Sequence, residues 1–167
     1  VVIDCGIKNN IIRNLIKRDL TVIRVPYDYD FLTQFFDGLV ISNGPGDPKM
    51  CHKTIYNIGR AMKHNIPTFG ICLGNQIMAL AAGGNTYKLK YGHRSQNQPC
   101  TLVRPSSMDG KSPPTSPSNH LTKRCFITTQ NHGFAVDMKT LNEEWQEFFV
   151  NANDGTNEGI KHKTKPF

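Results

Sequence analysis

Ile66-Pro67-Thr68-Phe69-Gly70-Ile71-Cys72-Leu73-Gly74-Asn75-Gln76 is the stretch whose reading decides the fold. A short apolar run enters Gly-x-Cys-x-Gly, and a helix-compatible segment, Gln76 to Ala82, follows at once. A strand that turns sharply into a helix with a nucleophile at the corner is the nucleophile-elbow pattern, here with Cys in place of Ser. Glycine on both sides suits it, because the turn strains the central residue and neighbouring side chains would collide. The sulfur is then expected at a helix N-terminus, where free N–H groups favour thiolate over thiol. The competing reading is a buried structural cysteine in a Gly-rich turn.

Outward from the elbow, apolar strands alternate with helical patterns. Strands are expected at Val1–Cys5, Leu20–Val25, Gly38–Ser42 and Pro67–Ile71. Helices are expected at Asn9–Arg18, 50–64 and 73–82, with a short one at Phe31–Phe36. This alternation predicts an α/β sandwich, a mostly parallel central sheet with helices on both faces. Ligands in such sheets sit at the carboxyl ends of the strands. Both Cys72 and the loop Asn43-Gly44-Pro45-Gly46-Asp47-Pro48 fall at such ends.

After Gly84 the pattern becomes that of half-exposed strands at Thr86–Lys90, Pro99–Val103, Cys125–Thr129 and Trp145–Asn151. Residues 104–123 hold four prolines and five serines with almost no bulky apolar side chain, and read as an insertion loop. The rest forms one domain over 1–167. Val1 opens inside an apolar run and Phe167 closes just after Lys-Pro, so the domain reads as truncated at both ends.

Bulk properties exclude several classes. The net charge is +7, but the basic residues are scattered and form no nucleic-acid-binding module. There is no apolar run of membrane-spanning length. The five cysteines (5, 51, 72, 100, 125) are odd in number and contain no C-x-x-C pair. That argues against a disulfide framework or structural zinc and fits a reducing, cytoplasmic compartment.

A cysteine nucleophile needs fixed N–H groups to receive the developing oxyanion, and a base. The N–H of Leu73 and the Gly44–Gly46 loop are the candidates for the first. For the second, the six histidines include His64 at an expected helix end, His120 in the insertion, and His132 after a strand. None has an evident Asp or Glu partner in the sequence, so the base is missing at this level.

Taken together, Gly70-Ile-Cys72-Leu-Gly-Asn-Gln76 and Ser42-Asn-Gly-Pro-Gly-Asp-Pro48 resemble the nucleophile and oxyanion motifs of class I (triad) glutamine amidotransferases. The resemblance extends through Leu89–Arg94, Gln96–Cys100, Gln130–Asp137 and Asn153–Ile160, in the wording found in carbamoyl-phosphate synthetases. Gln96-Asn-Gln-Pro99 is most similar to the enzymes of eukaryotic pyrimidine synthesis. The resemblance implies the flavodoxin-like fold of that family and a γ-glutamyl thioester on Cys72. Leu73, Gly44 and Gly46 would hold the oxyanion and the substrate backbone. Gln76, Asn131, His132, Gly133 and Phe134 would surround L-glutamine.

It also implies a partner, an ATP-grasp carbamoyl-phosphate synthetase domain or subunit that receives ammonia. ATP and Mg2+ are expected there, and no cofactor in this domain. Two departures stand out. Asn75 replaces the family's usual His, and the family's His-Pro-Glu motif, with its catalytic His and Glu, would lie just past Phe167. The competing functions are another triad amidotransferase, serving anthranilate or GMP synthesis, and a non-hydrolytic glutamine-binding scaffold.

Overall fold

The computed structural model describes residues 1–103 and 124–167. The Pro/Ser-rich insertion expected at 104–123 lies outside the described residues. The described chain builds two four-stranded sheets that share one core.

The first sheet is parallel. It contains β1 (Val2–Asp4), β2 (Arg24–Pro26), β3 (Leu39–Ile41) and β4 (Thr68–Gly70), in the order β2-β1-β3-β4. Helix α1 (Asn9–Ile16) connects β1 to β2, α2 (His52–Lys63) connects β3 to β4, and α3 (Leu73–Ala81) leaves β4. The chain moves from β1 to one side and then back past it to β3. The switch point therefore lies between the carboxyl ends of β1 and β3, where open α/β sheets open a crevice. The strand expected at Leu20–Val25 begins only at Arg24 and includes Pro26, and Phe31–Phe36 forms only a 3-10 turn at Phe31–Thr33.

The loops at the switch point are tied to each other. Ser42 Oγ accepts from the Cys5 N–H at 2.9 Å and donates to the Asn43 carbonyl at 2.7 Å. The Asn43 side chain takes the Lys8 N–H and donates to the Gly6 carbonyl, both at 3.2 Å. Asp4 Oδ1 receives the N–H groups of Gly6 and Ile7. Few freedoms remain to either loop.

The second sheet is antiparallel and contains β5 (Asn85–Leu102), β6 (Cys125–Asp137), β7 (Trp145–Asn151) and β8 (Asn157–His162), ordered β6-β5-β7-β8. The two strands expected at 86–90 and 99–103 are one long bent strand. Its pairing with β6 slips between Lys88 and His93 and again between Ser95 and Gln98. Those irregularities absorb the polar residues that break the alternation, which is why the middle of β5 does not read as strand. The expected strand at 125–129 likewise continues through Asn131-His132-Gly133-Phe134.

Helix α3 packs on α2, on β3 and β4, and on the second sheet. Ile41, Ile58 and Ile77 are fully buried in a cluster that also takes Val136, Trp145 and Ile160 from the second sheet. Through α3 the two sheets are held against one core, and the start of α3 lies where they meet. An apolar hollow of ≈ 660 Å³ at the opposite end of the parallel sheet, beside Leu20, Phe35 and Phe69, contains no thiol, imidazole, lysine or arginine. No helix among the described residues is long and apolar enough to cross a membrane.

Candidate active site

Gly70, Cys72 and Gly74 form the corner between β4 and α3. Cys72 has φ 54° and ψ −107°, a left-handed conformation uncommon for a residue with a side chain. The flanking glycines are there for close approach. A Cβ on Gly70 would lie 2.5 Å from the Gly74 carbonyl, and one on Gly74 would lie 2.2 Å from the Ile41 carbonyl oxygen. The absence of both side chains lets α3 start directly above β3 with the thiol projecting at the corner.

The second glycine loop meets the elbow from the neighbouring strand. A Cβ on Gly44 would lie 2.0 Å from the Cys5 carbonyl oxygen and 2.8 Å from Leu73 Cδ2, while Gly46 adopts φ +94°. Among the described residues the Gly44 and Gly46 N–H groups have no hydrogen-bond partner, so they remain available to a ligand.

A cleft of ≈ 740 Å³ lies over these elements. Cys72, Leu73, Gln76, Gly44 and Gly46 line one side of it, and Asn131, His132, Gly133 and Phe134 line the other. All nine residues singled out from the sequence therefore share one cavity. Lys8, Lys88 and Arg94 also border it, against the single carboxylate of Asp47. This cationic rim suits a ligand carrying a carboxylate, and it is not apparent in the sequence because its members come from three separate places in the chain.

Several side chains are held from behind. Gln76 is buried and its Nε2 donates to the Phe134 carbonyl at 2.6 Å, which ties α3 to β6. The same carbonyl faces His132 Nδ1 at 2.9 Å. Asn75 accepts the buried Ile160 N–H at 3.3 Å and links α3 to β8. Replacing Asn75 by Ala should leave that N–H unsatisfied and lower stability by about 1–2 kcal/mol, read as a lower urea midpoint at unchanged slope.

Two expectations need correction. The Cys72 pKa is raised, not lowered. Burial pushes it up most, the Leu73 N–H pulls it down, the Glu158 carboxylate raises it, and Lys8 lowers it. The helix N-terminus does contribute through Leu73, but desolvation of the thiolate outweighs it. Burial therefore favours the thiol over the thiolate at Cys72, and a base is needed to draw off its proton.

The second correction concerns histidine partners. His132 lies within β6, and its Nε2 is 3.0 Å from Glu158 Oε2 on β8. The contact is close enough for ion pairing but is not aligned as a hydrogen bond, and Nε2 has no other partner among the described residues. Cys72, His132 and Glu158 line the same small hollow. Glu158 follows His132 by 26 residues, and the two stand on β8 and β6, the edge strands of the second sheet, which come into contact. The Asn153–Ile160 motif contains the carboxylate, but its spacing carries no hint of the contact. His64, by contrast, only caps α2.

The class I glutamine amidotransferase family profile matches residues 1–167, and the chain belongs to that family. The carbamoyl phosphate synthase arginine-specific small chain of Chaetomium globosum is 48% identical over 167 residues, covering 98% of this chain and 32% of that protein. The multifunctional protein CAD of Squalus acanthias is 49% identical over 166 residues, covering 98% of this chain and 7% of that protein. The chain thus spans about a third of one relative and under a tenth of the other. Among solved structures, a Thermoplasma acidophilum protein provisionally described as part of a GMP synthase superposes with a TM-score of 0.73 at 24% identity. That match covers 99% of this chain and 78% of the other, and establishes the fold.

Proposed function

We propose that this chain is the glutaminase domain of a carbamoyl-phosphate synthetase. The observation that carries the reading is Cys72, held at φ 54° at the floor of a cleft bordered by two open glycine N–H groups and three cations. The likeness to the Chaetomium small chain and to CAD supplies the synthetase context.

The chemistry follows from the groups present. The Cys72 sulfur adds to the side-chain amide carbon of glutamine. The resulting oxyanion is received by the N–H of Leu73 and by the Gly44–Gly46 loop. Collapse breaks the C–N bond, and ammonia leaves with the proton that began on the thiol. Water then cleaves the γ-glutamyl thioester to release glutamate and restore Cys72. The cationic rim takes the α-carboxylate of the substrate. Ammonia passes to an attached or associated synthetase module, which binds ATP and Mg2+ and uses bicarbonate.

Within this reading the protein is cytoplasmic and serves pyrimidine synthesis, as the wording at Gln96–Pro99 suggests, although the arginine-specific relatives are equally similar overall. Residues 1–167 contain no His-Pro-Glu run. With the thiol favoured and no such base, these residues alone would turn glutamine over slowly. A binding-only scaffold is the less favoured reading, because it has no use for a strained cysteine where glycine would fit without cost.

A glutamine-mimicking chloroketone tests the proposal. It should label Cys72 in a one-to-one ratio, with glutamine protecting. The Cys5 thiol is pushed up to about 12, first by burial and then by the neighbouring Cys51 and Asp4. Burial also raises Cys51 and Cys100. Labelling at exposed Cys125 instead, with no protection by glutamine, would remove the basis of the reading.

A further inference from the structure

Behind the thiol, four ionisable side chains from three strands and a turn form a chain of contacts that the reaction above does not use. His93 on β5 lies opposite His132 on β6, in the first pair after the break in register. Their rings meet edge to face, with centroids 4.9 Å apart. His93 Nδ1 is 2.8 Å from Glu158 Oε1 on β8, and its Nε2 is 2.8 Å from Asp154 Oδ2 in the turn before β8. The other Glu158 oxygen faces His132 Nε2. The His93, His132 and Glu158 side chains are each about nine-tenths buried. Asn151 of β7 contributes a neutral amide 3.5 Å from His93.

The hydrogen-bond partners assign the protons. The Phe134 carbonyl only accepts, so His132 Nδ1 carries a hydrogen. Both nitrogens of His93 face carboxylates, an arrangement that favours the doubly protonated ring. Glu158 is thereby fixed through one oxygen, and its other oxygen lies 3.0 Å from His132 Nε2, beside Cys72.

We propose that His93 is a positioning residue for the glutaminase reaction. Clamped between Asp154 and Glu158, it fixes the carboxylate that orients His132 in the hollow shared with Cys72. This rests on the glutaminase reading for its reaction, but the geometry it describes is independent of the substrate.

The electrostatics support it. Burial lowers the His93 pKa, but Asp154 and Glu158 on either side outweigh that, and the net shift is upward. Asp154 is shifted down, with its burial opposed by the Thr156 N–H and by His93. A histidine raised on folding stabilises the protein fully below its unfolded value. That stabilisation is lost as pH climbs through the higher folded value, so the clamp should release on the alkaline side of the ordinary histidine range.

The test uses the full protein with its synthetase partner, comparing wild type with His93→Leu and His93→Gln. In His93→Leu, kcat for glutamine hydrolysis should fall about tenfold to a hundredfold with little change in KM, the size expected when a group beside the reacting atoms is misplaced. His93→Gln, which keeps a donor, should recover part of it. The rate of Cys72 alkylation by a neutral haloacetamide is the second readout, and its pH profile should lose an alkaline step in both variants. If kcat and the alkylation profile match wild type, and only the melting temperature falls, His93 is structural and the proposal is overturned. If wild type itself releases no glutamate, the glutaminase reading fails. The alkylation profile then decides the positioning claim alone.

Discussion

Exchanging Cys72 for alanine is expected to reduce glutamate release roughly 10⁴-fold or more, the loss typical when the nucleophile of a covalent mechanism is deleted. Glutamine binding should change little, because the groups assigned to recognition are elsewhere in the cleft: Gln76, Asn131, Gly133, Phe134 and the cationic rim. The two measurements together are diagnostic. A thioester mechanism separates affinity from turnover, since the sulfur contributes its bond only after the substrate is seated. Equilibrium binding by calorimetry and glutamate release in the same preparation would show that split. Retention of even a tenth of the wild-type rate would mean that water attacks the amide directly, and Cys72 would then be a structural residue in a strained turn.

A large loss of stability should come from Gly74→Ala. In an ordinary helix this exchange would be favourable by up to about 1 kcal/mol. Here the new methyl would lie 2.2 Å from the Ile41 carbonyl oxygen and 2.8 Å from its carbon, both backbone atoms of a buried strand. Neither can rotate away, so α3 must lift from β3. Overpacking against fixed atoms costs about 3 kcal/mol or more, enough to override the propensity gain. For a domain of this size that is a fall of roughly 6–12 °C in the melting temperature. Gly59→Ala is the internal control. It also lies in a helix, but its methyl would sit 3.6 Å from the nearest backbone atom, an ordinary contact. It should be neutral or slightly stabilising. Equal losses at both positions would show that the elbow packing has been misread.

What can be read without coordinates is whatever depends on near neighbours in the chain. The elbow announces itself because strand, glycines, thiol and helix are contiguous. The parallel sheet follows from the alternation of apolar strands with amphipathic helices. The rest depends on distance in sequence. Glu158 reaches His132, and Asp154 reaches His93, only because the strands pair in the order β6-β5-β7-β8 and the sheet's two edge strands come into contact. The register of β5 on β6 is displaced by two irregularities in a strand that reads as two separate ones. The Cys72 thiol departs from expectation for a related reason. Its helix N-terminus is local and legible, whereas the burial that outweighs it is not, and His132, Phe134 and Glu158, which line the same hollow, are distant in sequence.

The φ 54° conformation of Cys72 has a consequence for how such chains change over time. Glycine would occupy that position more comfortably by about 1–2 kcal/mol. Mutation therefore offers this domain a standing route to greater stability through the loss of its thiol. A lineage released from the need for glutamine-derived ammonia should drift toward glycine at this corner. Persistence of cysteine across lineages would mark continuous selection for the reaction, legible in genomes without an assay.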